Sequence, residues 1–127
     1  MADSGNTGLT RIIKAAGFSW QGIKAAFAHE AAFRQEVALA VVLIPLAVWL
    51  SKTATQMALM ISSILLVMLV EIINSAIEAA IDRHGGEHHV LSGRAKDMGS
   101  AAVMIAFVYL LVIWGGILWD NYNKWLQ

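Results

Sequence analysis

The sequence contains no cysteine, a single proline and few charged residues. Without cysteine, the chain has no disulfide, no cysteine nucleophile and no thiolate metal site. Charged residues make up 14% of the 127 positions and hydrophobic residues 58%, whereas a soluble domain of this length needs far more polar surface. The formal net charge is +0, so composition gives no reason to expect nucleic-acid binding. These absences favour the lipid bilayer as the solvent of the chain.

Three predominantly apolar stretches predict membrane spans at residues 37–51, 53–82 and 98–119. The first is short for a span, which needs ~20 residues, and it contains Pro45, where a kink is expected. Residues 83–97 are polar and contain glycine, which predicts a loop between the last two spans. The sequence therefore predicts a single all-α integral membrane domain with three transmembrane helices.

Residues 9–30, before the first span, have the pattern of an amphipathic surface helix. Trp20 and Phe27 lie on its apolar side, whereas Arg11 and Lys24 fall elsewhere around the helix. A basic helix with aromatic residues on its apolar side is typical of the bilayer interface, where it lies flat. The basic residues also interrupt the apolar run, which argues against a cleavable signal peptide.

The distribution of lysine and arginine predicts the orientation of the chain. Seven of the nine basic residues fall in the N-terminal helix, at the start of the first span or around residues 83–97. Only Lys52 and Lys124 fall on the other side. Because cytoplasmic segments carry the excess of basic residues, we expect the N-terminal helix and residues 83–97 in the cytoplasm.

A row of polar residues follows the second span toward its predicted cytoplasmic end. Asn74, Glu78 and Asp82 follow Glu71 at offsets of three, seven and eleven, which keeps the four within ~80° of one another on a helix. A carboxylate at the bilayer centre costs ~2.5 kcal/mol or more. A structural interpretation makes Asn74 and Ser75 an interhelical contact, but three aligned carboxylates fit a proton path or a divalent cation better. Ligation by oxygen alone favours Mg²⁺.

Two cytoplasmic segments add candidate groups. Glu30 closes the surface helix and is either a helix-end carboxylate or a third acid that faces the metal. Arg94 and Lys96 precede the third span, where cations near a helix N-terminus bind phosphate, although basic residues beside spans are commonly topology determinants. His88 and His89 fit a solvated loop better than a zinc site. No Walker, kinase Gly-rich or Rossmann motif occurs, so a nucleotide site would be of an unrelated kind.

Several motifs occur together and in a fixed order along the chain. The runs EIINSAIEA at 71–79 and LSGRAKDMGSAA at 91–102 are joined by EAAFRQE at 30–36 and TRIIKA at 10–15. With these motifs the sequence strongly resembles the prokaryotic diacylglycerol kinase family, small enzymes with three spans that are unrelated to soluble kinases. The resemblance extends from about Thr10 to Trp119, nearly the whole chain.

The resemblance implies transfer of the γ-phosphoryl group of ATP to the free hydroxyl of diacylglycerol, which gives phosphatidate. It implies that Glu71 is the general base, that Asn74 supports the catalytic cluster, and that Glu30 and Glu78 hold Mg²⁺. The nucleotide-binding positions that it implies are Arg11, Phe18, Glu30, Glu78, Glu87, His88, His89, Lys96 and Asp97. The lipid-side positions that it implies are Lys24, Phe27, Arg34, Gln35, Ser100, Trp114 and Trp119.

The resemblance also implies a homotrimer whose sites form between neighbouring subunits, in the bacterial inner membrane with a cytoplasmic N-terminus. The sequence departs from the family at Phe18 and His88, where close relatives commonly carry tyrosine, and at Val90, where glutamate is common. Two alternatives stay open. One is phosphorylation of undecaprenol, the acceptor of a sister branch, and the other is a small proton-coupled transporter. The transporter class typically has four spans with a carboxylate in the first, and residues 37–51 contain none.

Overall fold

The computed structural model describes residues 7–84 and 89–127, and its regular structure in these ranges is entirely helical. The four helices are α1 (Gly8–His29), α2 (Ala31–Leu50), α3 (Ala54–Asp82) and α4 (Val90–Trp125). The last three are long and apolar enough to cross a membrane. The predicted fold class, all-α with three candidate transmembrane helices and an additional N-terminal helix, is therefore confirmed.

The break between α1 and α2 is a single residue. Glu30 is extended, with φ −113° and ψ 108°, and it ends one helix and begins the next. Arg34 Nη1 donates hydrogen bonds to the carbonyl oxygens of Phe27 at 2.8 Å and Ala28 at 3.2 Å. These carbonyls belong to the last turn of α1, which has no helical partner for them. The Arg34 side chain therefore ties the end of α1 to the start of α2 and fixes the position of Glu30.

A polar network joins three helices where α2 turns into α3, which we call the hairpin end. Thr53 Oγ1 caps α3 by accepting from the Gln56 backbone N–H at 3.1 Å, and Gln56 Oε1 accepts from Lys52 N–H at 2.8 Å. Asn121 of α4 exchanges two hydrogen bonds with Gln56, at 2.9 and 3.0 Å, and donates to the Leu50 carbonyl at 3.1 Å. The network satisfies the polar groups of a turn that would otherwise lie unpaired beside apolar helices.

Helix α3 is the centre of the bundle, because it packs against both α2 and α4. The buried core contains Ala40 and Ala47 of α2, Met60, Ile64 and Val67 of α3, and Ala106, Leu110 and Trp114 of α4. Small residues on α2 and α4 allow close approach of the helices, as membrane packing requires. Large apolar side chains such as Trp49, Leu111 and Val112 are more than half exposed, which suits a surface that faces lipid.

The structure differs from the sequence-based boundaries at two helix starts. Helix α2 begins at Ala31 and not near residue 37, so Glu36 lies inside it. Helix α4 begins at Val90, so residues 90–97, which we predicted as loop, form its first two turns. His89 caps this start, since its Nδ1 accepts from the Leu91 backbone N–H at 3.1 Å. Helix α2 also continues through Pro45 without interruption.

Candidate active site

The polar row on α3 runs from the interior of the bundle to its surface. Glu71, Asn74 and Ser75 are buried, with 6%, 8% and 8% of their surface exposed. Glu78, one turn further, is half-buried, and Asp82 at the helix end is exposed. The row lies toward the end of the bundle that also carries Glu30, which we call the Glu30 end. A substrate in the aqueous phase would therefore meet Asp82 first and Glu71 last.

Three other carboxyl groups lie close enough to Glu71 to act on it electrostatically. Glu30 comes from the junction of α1 and α2, and Glu78 from the next turns of α3. The third is Glu36 of α2, which is itself buried, with 6% of its surface exposed. Glu71 thus has three acidic side chains within electrostatic range, from the α1–α2 junction, from α2 and from α3 itself. Like charges at such a place are stabilised by a bound cation or by shared protons.

Three buried oxygen atoms at this place have no hydrogen-bond partner among the described residues: Glu36 Oε2, Asn74 Oδ1 and Ser75 Oγ. Buried polar atoms are nearly always satisfied, so three orphans in one region indicate a missing ligand, water or neighbouring chain. All three are oxygens, the ligand type that Mg²⁺ prefers. Within residues 7–84 and 89–127, however, no three histidine, aspartate or glutamate side chains are placed to hold one metal ion. The described part of one chain therefore supplies suitable donors but does not close a metal site.

The residues assigned to the nucleotide come from α1 and from the start of α4. Lys96 Nζ is 2.7 Å from Asp82 Oδ1, and the ion pair joins the end of α3 to the first turns of α4. Asp97 follows on the same helix and is exposed. Arg11 and Phe18 are exposed on α1. His89 is occupied as the cap of α4, whereas the predicted positions Glu87 and His88 lie outside the described residues.

The residues assigned to the lipid side are in different surroundings. Exposed side chains are found at Lys24, Phe27, Gln35, Ser100 and Trp119. Arg34 is also exposed, but its guanidinium is bonded to carbonyls of α1. Trp114 is buried, with 7% of its surface exposed, and its Nε1 donates to Ser63 Oγ at 3.1 Å. Trp114 is therefore a core residue of the single chain, while Trp119 is available to a lipid.

Comparison with known proteins identifies the group to which this arrangement belongs. A family model described as "Prokaryotic diacylglycerol kinase" matches residues 17–118, most of the chain. The chain belongs to the prokaryotic diacylglycerol kinase family. The match includes the α3 row, the α1–α2 junction and the start of α4, so the family resemblance inferred from the motifs is confirmed.

Curated diacylglycerol kinases match over nearly their whole length. The chain is 56% identical to the enzyme of Escherichia coli (strain K12) over 117 residues, which are 92% of this chain and 96% of the relative. It is 54% identical to that of Haemophilus influenzae over 112 residues, 88% of this chain and 95% of the relative. A diacylglycerol kinase of Helicobacter pylori is 44% identical over 117 residues, with coverage of 92% and 91%.

Two residues of this family member that the structure places at the site were not among the predicted site residues. Glu36 directly precedes the span predicted at residues 37–51, yet it is buried and within electrostatic range of Glu71. The sequence feature that could have indicated its burial is its helical spacing from Phe33 and Ala40. This spacing puts all three residues on one buried face of α2. Gly99 lies against the Asn74 side chain across the α3–α4 interface, and no sequence pattern indicates that contact.

Proposed function

We propose that the protein is a lipid kinase that transfers the γ-phosphoryl group of ATP to the free hydroxyl of diacylglycerol and produces phosphatidate. The observation that carries the proposal is the buried cluster around Glu71 in a chain of this family. Its curated relatives are named diacylglycerol kinase, and they align over at least nine-tenths of their length. Phosphoryl transfer depends mainly on positioning and charge neutralisation, which a few carboxylates on thin helices are able to supply.

Glu71 acts as the general base in this proposal. Its carboxylate accepts the hydroxyl proton of the lipid as that oxygen bonds to the γ-phosphorus, while the bond from phosphorus to the β-phosphate bridging oxygen breaks and ADP leaves. A base must lie within hydrogen-bond reach of the proton it takes. Glu71 is buried, and Glu78 lies between it and the aqueous end of α3. A lipid hydroxyl can therefore approach Glu71 from the bilayer while ATP approaches from water.

Glu30 and Glu78 are the residues that would hold Mg²⁺, with Asn74 in support. When bound, the ion neutralises charge on the phosphates and orients them for in-line transfer. Both glutamates lie in electrostatic range of Glu71, and the unpartnered Asn74 Oδ1 lies on the same face of α3. Glu30 reaches this place because the Arg34 hydrogen bonds hold the junction of α1 and α2 in position.

The nucleotide would lie at the Glu30 end. Lys96 supplies a positive charge there, and its ion pair with Asp82 holds it beside the α3 row until a phosphate competes for it. Arg11, Phe18, His89 and Asp97 are further candidate contacts. Phe18 is half exposed, so its ring is available to an adenine base.

Acceptor contacts are proposed for the exposed Lys24, Phe27, Gln35 and Ser100, with Arg34 beside them and Trp114 acting through the packing of α4. Trp119, which is also exposed, lies near the hairpin end of α4 and would contact lipid there. The proposed orientation places the Glu30 end in the cytoplasm of a bacterial inner membrane. Seven of the nine basic residues lie in segments at that end, and Lys52 and Lys124 lie at the hairpin end. Exposed Trp49, Trp119 and Trp125 then form an aromatic belt at the opposite interface.

We propose a homotrimer with shared sites as the active form. The described part of one chain closes no metal site and leaves three buried oxygens unpaired at the cluster. A neighbouring copy that packs against the exposed apolar surface of α4 would complete the enclosure, since ligand sites in helical bundles form between helices. The mass of the assembly in a native-like detergent, measured by light scattering, is expected to equal three chains; a monomer as the active species would contradict this part of the proposal.

The decisive experiment compares acceptors. Purified full-length protein in micelles is incubated with ATP, Mg²⁺ and either dioleoylglycerol or undecaprenol, and the phosphorylated lipid is quantified. We expect phosphatidate with dioleoylglycerol and little product with undecaprenol. Phosphorylation of undecaprenol alone would replace the proposal with the sister activity. If neither lipid is phosphorylated, the lipid kinase proposal is wrong and a proton-coupled transporter becomes the favoured function.

A further inference from the structure

Gly99 of α4 occupies a special place among the glycines of the bundle. A Cβ atom added there would clash with the amide oxygen of Asn74, on the facing side of α3. The same addition at Gly93, Gly115 or Gly116, on the same helix, meets no described atom within 4 Å. Gly99 is also buried, whereas these other glycines are at least partly exposed. The close approach of α4 to α3 at this level therefore requires a residue without a side chain.

The Asn74 side chain depends on this contact for its orientation. Its Oδ1 is buried and accepts no hydrogen bond from any described residue. The terminal torsion of asparagine has broad preferences, so neither rotamer energy nor a hydrogen bond on Oδ1 determines where the amide points. What remains is the surface of α4, which at Gly99 presents only backbone. The amide oxygen therefore lies against the backbone of α4.

We propose that Gly99 is a positioning residue, which holds the Asn74 amide in the orientation that the carboxylate cluster needs. This inference rests on the proposed function, in which Asn74 supports the Mg²⁺ ligands. A methyl group at position 99 would force the amide to rotate or the two helices to separate. A displacement of about 1 Å in a supporting group costs as much as 100-fold in rate. The contact thus couples the packing of α3 and α4 to the geometry of the site.

The first test compares Gly99→Ala with Gly116→Ala in the purified full-length protein. Both substitutions raise the helix propensity of α4 equally, but only the first meets Asn74. We expect kcat with dioleoylglycerol to fall about tenfold to 100-fold in Gly99→Ala, with the KM for ATP changed less than about twofold. Gly116→Ala is expected to retain the parent rate.

The second test asks whether Gly99 acts through Asn74. Gly99→Ala is introduced into an Asn74→Ala protein, in which the colliding amide is absent. We expect no further loss of the residual kcat in this background, because the residues act as a pair. The same fold loss in both backgrounds would overturn the inference. If Gly99→Ala alone fails to assemble, assembly of the double variant supports the contact and failure of both contradicts it.

A spectroscopic readout separates this inference from the proposed function. In protein labelled with ¹⁵N-asparagine, Gly99→Ala should shift the side-chain amide signal of Asn74 and leave that of Asn121 in place. Asn121 lies at the hairpin end and serves as an internal control. An unmoved Asn74 signal together with a parent-like kcat would overturn the inference. Absence of lipid phosphorylation in the parent protein would overturn the proposed function alone, since the shift tests the contact without catalysis.

Discussion

The indole Nε1 of Trp114 donates a hydrogen bond to Ser63 Oγ at 3.1 Å, and through it α4 is joined to α3 in the middle of the bundle. The hydroxyl of Ser63 donates in turn to the Met60 carbonyl at 2.7 Å. Both side chains are buried, and Ser63 is completely enclosed. Where lipid surrounds the helices, such polar contacts and close packing replace the hydrophobic effect as the source of helix association.

Trp114→Phe should weaken the bundle because it removes this hydrogen bond while keeping an aromatic ring in the core. We expect a loss of about 1 kcal/mol in the free energy of unfolding, measured by titration with a denaturing detergent. Trp119→Phe is the matched control, since Trp119 is exposed and lies outside the core. Equal losses for the two variants would show that Trp114 does not have the structural role assigned to it.

The network at the hairpin end predicts a second stability effect. Asn121→Ala would leave the partly buried amide of Gln56 and the Leu50 carbonyl without their partner on α4. The expected cost is about 1 kcal/mol or more, because partly buried partners lose their hydrogen bonds. Asn123→Ala, two residues further along α4, is the control in the same detergent titration. A stability of Asn121→Ala indistinguishable from that of Asn123→Ala would contradict the network.

The fold was predictable where a pattern is long and regular. The spans centred on α2, α3 and α4 and the amphipathic α1 follow from hydropathy and helical periodicity. The start of α4 was not predictable in this way, because residues 90–97 are polar and contain Gly93. This start of the helix depends on a local cap, in which the His89 imidazole accepts a hydrogen bond from the Leu91 N–H. The polar composition of the segment does not indicate such a cap. Helix ends are set by such individual contacts, whereas spans are set by composition.

The junction between α1 and α2 yields a prediction about dynamics. Arg34→Ala removes both hydrogen bonds to the carbonyls of Phe27 and Ala28, so the last turn of α1 should open more often. Hydrogen–deuterium exchange followed by mass spectrometry should show faster exchange in residues 26–30. Arg83→Ala, a change of the same charge at the end of α3, should leave exchange in that segment unchanged. Unaltered exchange in Arg34→Ala would remove Arg34 from this role.

The site was predictable on one helix and less so between helices. Glu71, Asn74 and Glu78 repeat at helical spacing, so the sequence alone places them on one face of α3. The neighbours that α2 and α4 bring to this face, Glu36 and Gly99, depend on how the helices pack. Periodicity fixes which side chains share a helix face, but it does not specify what the facing helix presents to them.

The most direct test of the account is the turnover of Glu71→Gln, which keeps the shape of the side chain and removes its charge and basicity. We expect kcat for dioleoylglycerol to fall about 10²- to 10⁴-fold, the contribution of a positioned general base, while ATP affinity and the mass of the assembly stay unchanged. Asp120→Asn, an exposed carboxylate at the hairpin end, should retain the parent rate. A Glu71→Gln protein that turns over within about twofold of the parent would contradict the central claim that Glu71 takes the hydroxyl proton.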